Sequence, residues 1–423
     1  MSNNDTSQPG ESTVPVVPNT VFVPPSSNKV IQGSFDRDPT SSMWSTYYVD
    51  PDGNSLGSGP FTTPKEPFIA ISPDFYPVLG PAPTLQVVAE ADTAQFHEAG
   101  VYIQESNEVF FTSNRLPSPA GEAFHEYGNF SKISLTPDHD GKYSWEVLKP
   151  PSDVFVLPNG GTIYNDKVLM AIQGYKLQVP SSLIVVDPKT LQAEVLLNNF
   201  FGRPFNSIND IAILMKPGGG ETKLEDQWIF FTDPPYGYFQ KFKPHPRLPY
   251  QVYAFHPING TIRVVADGFQ RPNGIVFSPD MGTCYITDTG IASGQEHEPT
   301  AIDGSRPGTI YAYDVVHPPA GSDLRNNPPS LTNRRVFAFT DSGLPDGIKC
   351  DTEGNVYSGC GDGVHVWNKQ GALLGKILVG LDIADASARG PCANFVFVPG
   401  GILIFAEKRM YLAKIKAKGA LLP

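Results

Sequence analysis

PNGIVFSPDMGTCYITDTG at residues 272–290 and PDGIKCDTEGNVYSGCGDG at 345–363 follow one plan. Each opens on Asn-Gly or Asp-Gly, runs through a short apolar strand, turns on polar residues and Gly, and enters a second strand. Short apolar runs bounded by such turns are the mark of antiparallel strand pairs. INDIAILMKPGGG followed by QWIFFTDPPYG, over 208–237, repeats the plan with a longer turn, and CANFVFVPGGILIFAEKRM repeats it at 392–410. Weaker copies at 98–114 and 159–174 bring the count to six. Spacings of roughly 45–75 residues suit propeller blades once loops are allowed for. No amphipathic helix longer than about ten residues is legible, so the expected fold is all-β, a six-bladed β-propeller.

Closure gives this reading a check, because a propeller completes its last blade with a strand from the other end of the chain and so leaves no long unpaired edge. PTLQVVAEA at 83–91 precedes the first repeat and is spare, and MYLAKIKA at 410–417 is the expected partner. The propeller is therefore placed at 81–418. Residues 1–80 form an N-terminal arm, expected to be disordered over the first 30 and then to pack on the outside through Trp44, Tyr47, Phe61, Phe68, Phe75 and Tyr76.

Composition agrees. Among 423 residues there are 40 Gly and 42 Pro, enough for many turns, and 40% are apolar, enough for a large core and too many for a disordered chain. A net charge of −12 repels nucleic acid and anionic membrane surfaces, so neither is an expected partner. No run of about 18 apolar residues is present to cross a bilayer as a helix. The first residues lack the basic and apolar regions of a secretory signal, which makes the cytoplasm the expected compartment. A monomer is the expected state. Four cysteines without a CxxC pair read as buried thiols.

In a propeller the residues that begin the innermost strands converge on one mouth of the central channel. Glu98, Asn209, Asp210, Asn273 and Asp346 stand at those positions. Any one Asn-Gly or Asp-Gly is an ordinary turn pair, but turn chemistry does not account for Glu98. Carboxylate and amide oxygens are hard ligands, and the set suits one divalent ion, Ca2+ before Mn2+, Mg2+ or Zn2+. Strand alternation assigns Asp210 to capping the turn and turns His97 away from its neighbour Glu98, although His97 remains a competing base. No GxSxG, GxxxxGK[ST] or HExxH pattern supports another hydrolase class.

FNSIND, WIFFTDPPYG, RPNGIVFSPD and LPDGIKCDTEGNVY with GDGVHVWNKQG, in that order, resemble the senescence marker protein 30, gluconolactonase and luciferin-regenerating enzyme group. HEAGVYIQESNEVFFTSN is similar to the opening Glu motif of fungal lactonohydrolases, with Ala99-Gly100 departing from the usual bacterial pattern. The resemblance implies a six-bladed propeller holding one catalytic divalent ion on Glu98, Asn273 and Asp346, with Asn209 as a closer or water-mediated partner. It also implies Asp346 as general base and a small-molecule lactone as substrate, opened to the hydroxy acid. Asp233 and Tyr236 in FFTDPPYG and His125 in HEYGNF are the candidates for substrate contact, Asp233 having as its alternative a role in fixing the Pro turn. The rival readings are a biosynthetic tailoring enzyme, an esterase or phosphotriesterase on the same site, and a binding propeller without catalysis.

Overall fold

The apolar runs of the six repeats become the innermost strands of six antiparallel sheets in a computed structural model. It describes residues 16–23, 66–120, 124–151, 153–217, 223–292, 303–323, 327–379 and 392–420, with the backbone of 48–49 and 55–56. In blade order the innermost strands are Glu98–Ile103, Pro158–Tyr164, Ile211–Leu214, Pro272–Phe277, Ile348–Cys350 and Asn394–Val398. Each packs beside the next around the ring, and the sixth packs on the first.

Strands such as Trp228–Asp233 are buried along their whole length because a blade is covered by neighbours on both faces. That is why they read as unbroken apolar runs rather than alternating ones. The core is correspondingly divided into seams between adjacent blades. Phe230, Val252 and Ala254 of the third blade meet Phe277 and Ile286 of the fourth, while Phe111 and Ile133 of the first meet Leu403 and Phe405 of the sixth. Each fully buried Phe in such a seam contributes roughly 1.5–3 kcal/mol of transfer free energy.

The spare strand closes the ring as expected. Thr84–Glu90 pairs antiparallel with Arg409–Lys414, Thr84 opposite Lys414 and Glu90 opposite Arg409, as the outermost strand of the sixth blade. The arm differs from its expectation. Thr20–Phe22, within the stretch expected to be disordered, pairs in parallel with Phe68–Ala70, which pairs with Leu373–Leu378 and widens the fifth sheet to six strands. Phe68, Phe75 and Tyr76 are buried among residues of the fifth and sixth blades, whereas Trp44, Tyr47 and Phe61 lie outside the described residues.

The two mouths of the channel differ. At one, the segment after the last strand lies across the opening: Thr352 N–H donates to Lys418 O at 2.9 Å and Ala420 N–H to Cys350 O at 3.0 Å. Behind it is an apolar cavity of about 60 Å³. The other mouth holds a larger, polar cavity of about 200 Å³. Among the described residues no helix is long and apolar enough to cross a membrane.

Candidate active site

The glycines after the ring residues are not turn glycines. Gly274 and Gly347 are absent from the residues with positive φ, so no left-handed turn demands them. What demands them is the neighbouring blade. A Cβ on Gly274 would sit 2.4 Å from the Asp346 carbonyl oxygen, and one on Gly347 would sit 2.2 Å from Asn394 Cγ. The Asn-Gly and Asp-Gly pairs are therefore the price of bringing successive ring residues into contact.

A second repeat element holds the ring together. The threonine near the end of the second strand donates its hydroxyl to the carbonyl of the next blade's ring residue: Thr112 to Asn159 at 3.0 Å, Thr232 to Asn273 at 2.7 Å and Thr287 to Asp346 at 3.0 Å. These are the T of FFTS, FFTD and ITDT, one repeated letter carrying three inter-blade joints.

Six polar residues, one from each blade, thus stand at this mouth: Glu98, Asn159, Asn209, Asn273, Asp346 and Asn394. All but Asn394 line the 200 Å³ cavity. Asn159 and Asn394 were missed from sequence, although PNG at 158–160 repeats PNG at 272–274 and CAN at 392–394 occupies the same place in the last copy. Asn394 Nδ2 donates to Glu98 Oε2 at 2.7 Å while its Oδ1 accepts from Phe395 N–H at 2.8 Å. Its orientation is fixed as a donor to the carboxylate.

The other three amides behave oppositely. Oδ1 of Asn159, of Asn209 and of Asn273 is buried without a hydrogen-bond partner among the described residues. An amide oxygen left so costs about 1–3 kcal/mol. Glu98 and Asp346 are also held unfavourably. Burial first, and then the charge of Asp346, raises the Glu98 carboxyl. Burial likewise raises Asp346, against the opposing effect of His97 and a hydrogen bond from Asn273. Three acceptor oxygens without donors beside two destabilised carboxylates form a site that a hard cation would satisfy. No thiol lines the cavity. The residues present therefore fit a divalent ion of the Ca2+ type. The tight acidic cluster Asp138, His139 and Asp140 is separate, exposed, and tied up in its own turn, where Asp138 Oδ1 accepts from Asp140 and Lys142 N–H.

His97 corrects the alternation argument. The strand begins at Glu98, so His97 precedes the pleat, and Ala99 and Gly100 at φ 68° and 79° form a bulge that shifts the register before Val101. Its ring consequently lines the cavity together with Glu98. Nδ1 lies 2.7 Å from Glu407 Oε1, and Asn114 Nδ2 also donates to that carboxylate, at 3.2 Å. Burial alone would lower the imidazole, but the Glu407 charge and hydrogen bond, with the charges of Glu98 and Asp346, more than reverse this and hold it at about 9. Glu407 escaped the sequence reading; its signal is an acid closing the second strand of a repeat, as Asp233 and Asp288 do.

Asp233 does not reach the cavity. Fully buried, it accepts Ser207 N–H at 2.8 Å and Asn206 N–H at 2.9 Å, clamping the loop that leads into Asn209. Asp288 does the same for Arg271 and Gln270 ahead of Asn273. The substrate-contact expectation for Asp233 is thus corrected: the hydrogen bonds described for its carboxylate go to the loop ahead of Asn209, neither to the cavity nor to the Pro turn. Asp210 joins blades, its carboxylate accepting Ile211 N–H at 2.9 Å and Ile275 N–H at 3.2 Å. His125 is exposed and is not part of the cavity wall. Tyr236 is: its hydroxyl accepts from Asn273 Nδ2 at 2.9 Å and is hydrogen-bonded to Thr289 Oγ1.

Fold and site together define a six-bladed propeller with an oxygen-lined polar centre at one mouth of its channel. Residues 133–389 match the family model described as SMP-30/Gluconolactonase/LRE-like region, and the chain belongs to that family. Among curated proteins it is 29% identical to the lactonohydrolase oryL of Aspergillus oryzae, over 74% of this chain and 67% of that protein. It is 24% identical to a gluconolactonase of Zymomonas mobilis, over 82% and 85% of the two chains. Among solved structures, a gluconolactonase from Xanthomonas campestris superposes with a TM-score of 0.58 at 23% identity, covering 83% of this chain and 95% of that one. That likeness concerns the fold.

Proposed function

We propose that this protein hydrolyses a lactone to its hydroxy acid with a divalent cation, Ca2+ by the character of the donors, held at the oxygen ring. The observation that carries the reading is the convergence on one cavity, bordered by a His–Glu pair, of two buried carboxylates and three amide oxygens that have no partner among the described residues. The names of the lactonohydrolase and gluconolactonase relatives support the same chemistry.

Glu98, Asn209, Asn273 and Asp346 would hold the ion, with Asn159 Oδ1 as a further donor. When bound, the ion polarises the lactone carbonyl and offsets the charge that develops on its oxygen.

The remaining steps belong to side chains. Asp346, kept in place by Thr287 on its carbonyl and Asn273 on its carboxylate, accepts a proton from the attacking water as the water oxygen bonds to the carbonyl carbon. The ring C–O bond then breaks and the departing oxygen takes a proton. His97 is placed to give it, since the Glu407 pairing occupies Nδ1 and leaves Nε2 for a ligand. Asp346 returns its own proton to solvent or to His97, and one water has been added overall. Tyr236, fixed by Asn273 and Thr289, offers its ring and hydroxyl to the bound substrate.

Incubation with a set of aldono-lactones, pantolactone, aromatic lactones and a phosphotriester, followed by mass analysis, tests this reading. A product heavier by one water supports it. An isomer of the starting lactone, or a phosphotriester cleaved while every lactone survives, would overturn it.

A further inference from the structure

The loop into Asp346 is held differently from its counterparts. On the third and fourth blades the last residue of the second strand, Asp233 or Asp288, clamps the approach to the ring residue by accepting two of its backbone N–H groups. On the fifth blade Asp346 N–H donates to Gly359 O at 2.9 Å, as Asn209 N–H donates to Thr232 O at 3.0 Å. That register puts Cys360, the last residue of Val356–Cys360, in the place of Asp233. Its thiol donates to Ser358 O at 3.4 Å, and sulfur is a weak acceptor beside a carboxylate. The approach is also longer. Gly361 N–H donates to Ser342 O four residues before Asp346, where Thr289 N–H donates to Arg271 O only two residues before Asn273.

A charged network stands where the clamp is missing. Lys376 Nζ donates to Asp341 Oδ1 at 2.6 Å, at the start of the loop, and to Asp362 Oδ2 at 3.5 Å, while Asp362 Oδ1 pairs with His365 Nε2 at 2.6 Å. Lys376 lies on Leu373–Leu378, the fourth strand of the blade. Fourth strands elsewhere, such as Ala193–Leu197 and Ile262–Ala266, are largely open to solvent. This one is covered by the arm strand Phe68–Ala70, with Ile69 opposite Lys376, and Lys376 is 0% exposed. Buried ion pairs add little stability over apolar side chains of the same volume, so what this one supplies is a fixed geometry. Leu344 of the loop lines the cavity together with Asp346, so the brace acts on a wall of the site. We infer that Lys376, through Asp341, is the positioning residue for Asp346. The inference rests on the lactone-hydrolase reading for the role of Asp346 as base.

Asp341→Asn, Lys376→Met and the double variant, made in the full chain, test it. The Asp341 side chain is half exposed, so its substitution opens no core and guards against a folding defect at Lys376; circular dichroism checks each variant. Hydrogen exchange followed by mass should quicken about tenfold or more over 340–347 in each variant, and stay as in the parent over 205–209, 269–273 and 356–378. For the preferred lactone, each single variant should lower kcat about tenfold or more with KM kept within about twofold, the pattern of a displaced base. The double variant should fall no further than about twofold below the weaker single, because both substitutions remove the same contact. Parent-like exchange over 340–347, or a parent-like kcat despite faster exchange, would overturn the inference. So would exchange that quickens over 356–378 as well, which marks a general loss of stability, or kcat losses that multiply in the double variant, which mark residues acting separately. If the parent hydrolyses no lactone, exchange alone decides. Quickening confined to 340–347 keeps Lys376 as the brace of the Asp346 loop and removes the hydrolase reading, whereas unchanged exchange removes the brace.

Discussion

Asn394 Nδ2 donates to Glu98 Oε2 at 2.7 Å across 296 residues of sequence, joining the last blade's ring residue to the first's. The contact closes the oxygen ring as the strand pairing of Thr84–Glu90 with Arg409–Lys414 closes the sheets. Replacing Asn394 by Asp sets a like charge against Glu98. Asn394→Asp is expected to lower kcat/KM for the preferred lactone about tenfold or more and to cost about 1–3 kcal/mol of stability, the price scale of a buried charged hydrogen bond. Denaturant unfolding and initial rates check both; a variant equal to the parent in each would show that the contact orients nothing.

Glu98→Gln and Asp346→Asn retain shape and remove charge. Each should cut turnover by about 10²–10⁴-fold, the range for a lost general base or charge-bearing group, while the circular dichroism of the parent is kept. Parent-like rates in both would move the chemistry away from the ring.

Asn209 gives a test of opposite signs. Its side-chain oxygen is buried without a partner among the described residues, where the residue is joined to its neighbours through backbone, Gly160 N–H to Asn209 O at 2.9 Å and Asn209 N–H to Thr232 O at 3.0 Å. Asn209→Ala should therefore leave the chelated protein as stable as the parent or more so, by up to about 1–3 kcal/mol, and should reduce the stabilisation conferred by Ca2+. Melting curves with chelator and with Ca2+ measure the two. A Ca2+-induced shift as large in the variant as in the parent would remove Asn209 from the cation's ligands.

Asp233 gives a pH dependence. Burial raises its carboxyl to about 7, against two backbone donors and Lys243, from 3.8 in an unfolded chain. The folded state thus holds this proton more tightly. The stability it contributes is full below about pH 3.8 and is lost as pH rises through about 7, a change on the order of 4 kcal/mol at about 1.4 kcal/mol per pH unit. Asn at this position cannot titrate. The melting temperature of the parent relative to Asp233→Asn should fall between about pH 4.5 and pH 7 and level off above that, and a constant difference would contradict it.

The blades were legible because each repeat spells its strand pair locally, and the closing strand because a single apolar run was left over. Glu98, Asn209, Asn273 and Asp346 were legible because the ring position recurs at the head of each innermost strand. Asn159 and Asn394 were equally available there, Asn159 at the head of a weaker copy and Asn394 in the clear copy at 392–410, whose third residue was not read as the ring position. Less could be read of groups that act across blades. Glu407 meets His97 over 310 residues, and the bulge at Ala99-Gly100 that lets His97 share the cavity breaks the two-residue alternation from which its direction was argued. Asp233 was ambiguous because its partners are backbone N–H groups, which no side-chain pattern announces. The arm was misjudged where Thr20–Phe22 pairs, since three residues on a sheet edge carry almost no periodicity.

The central claim, a cation-dependent lactone hydrolase centred on this ring, is tested most directly by proton release from the lactone panel with the protein as purified, after chelation, and after Ca2+ is restored. The account predicts turnover that chelation abolishes and Ca2+ recovers. Turnover that is unchanged in chelator, or absence of turnover with Ca2+ demonstrably bound, would contradict it.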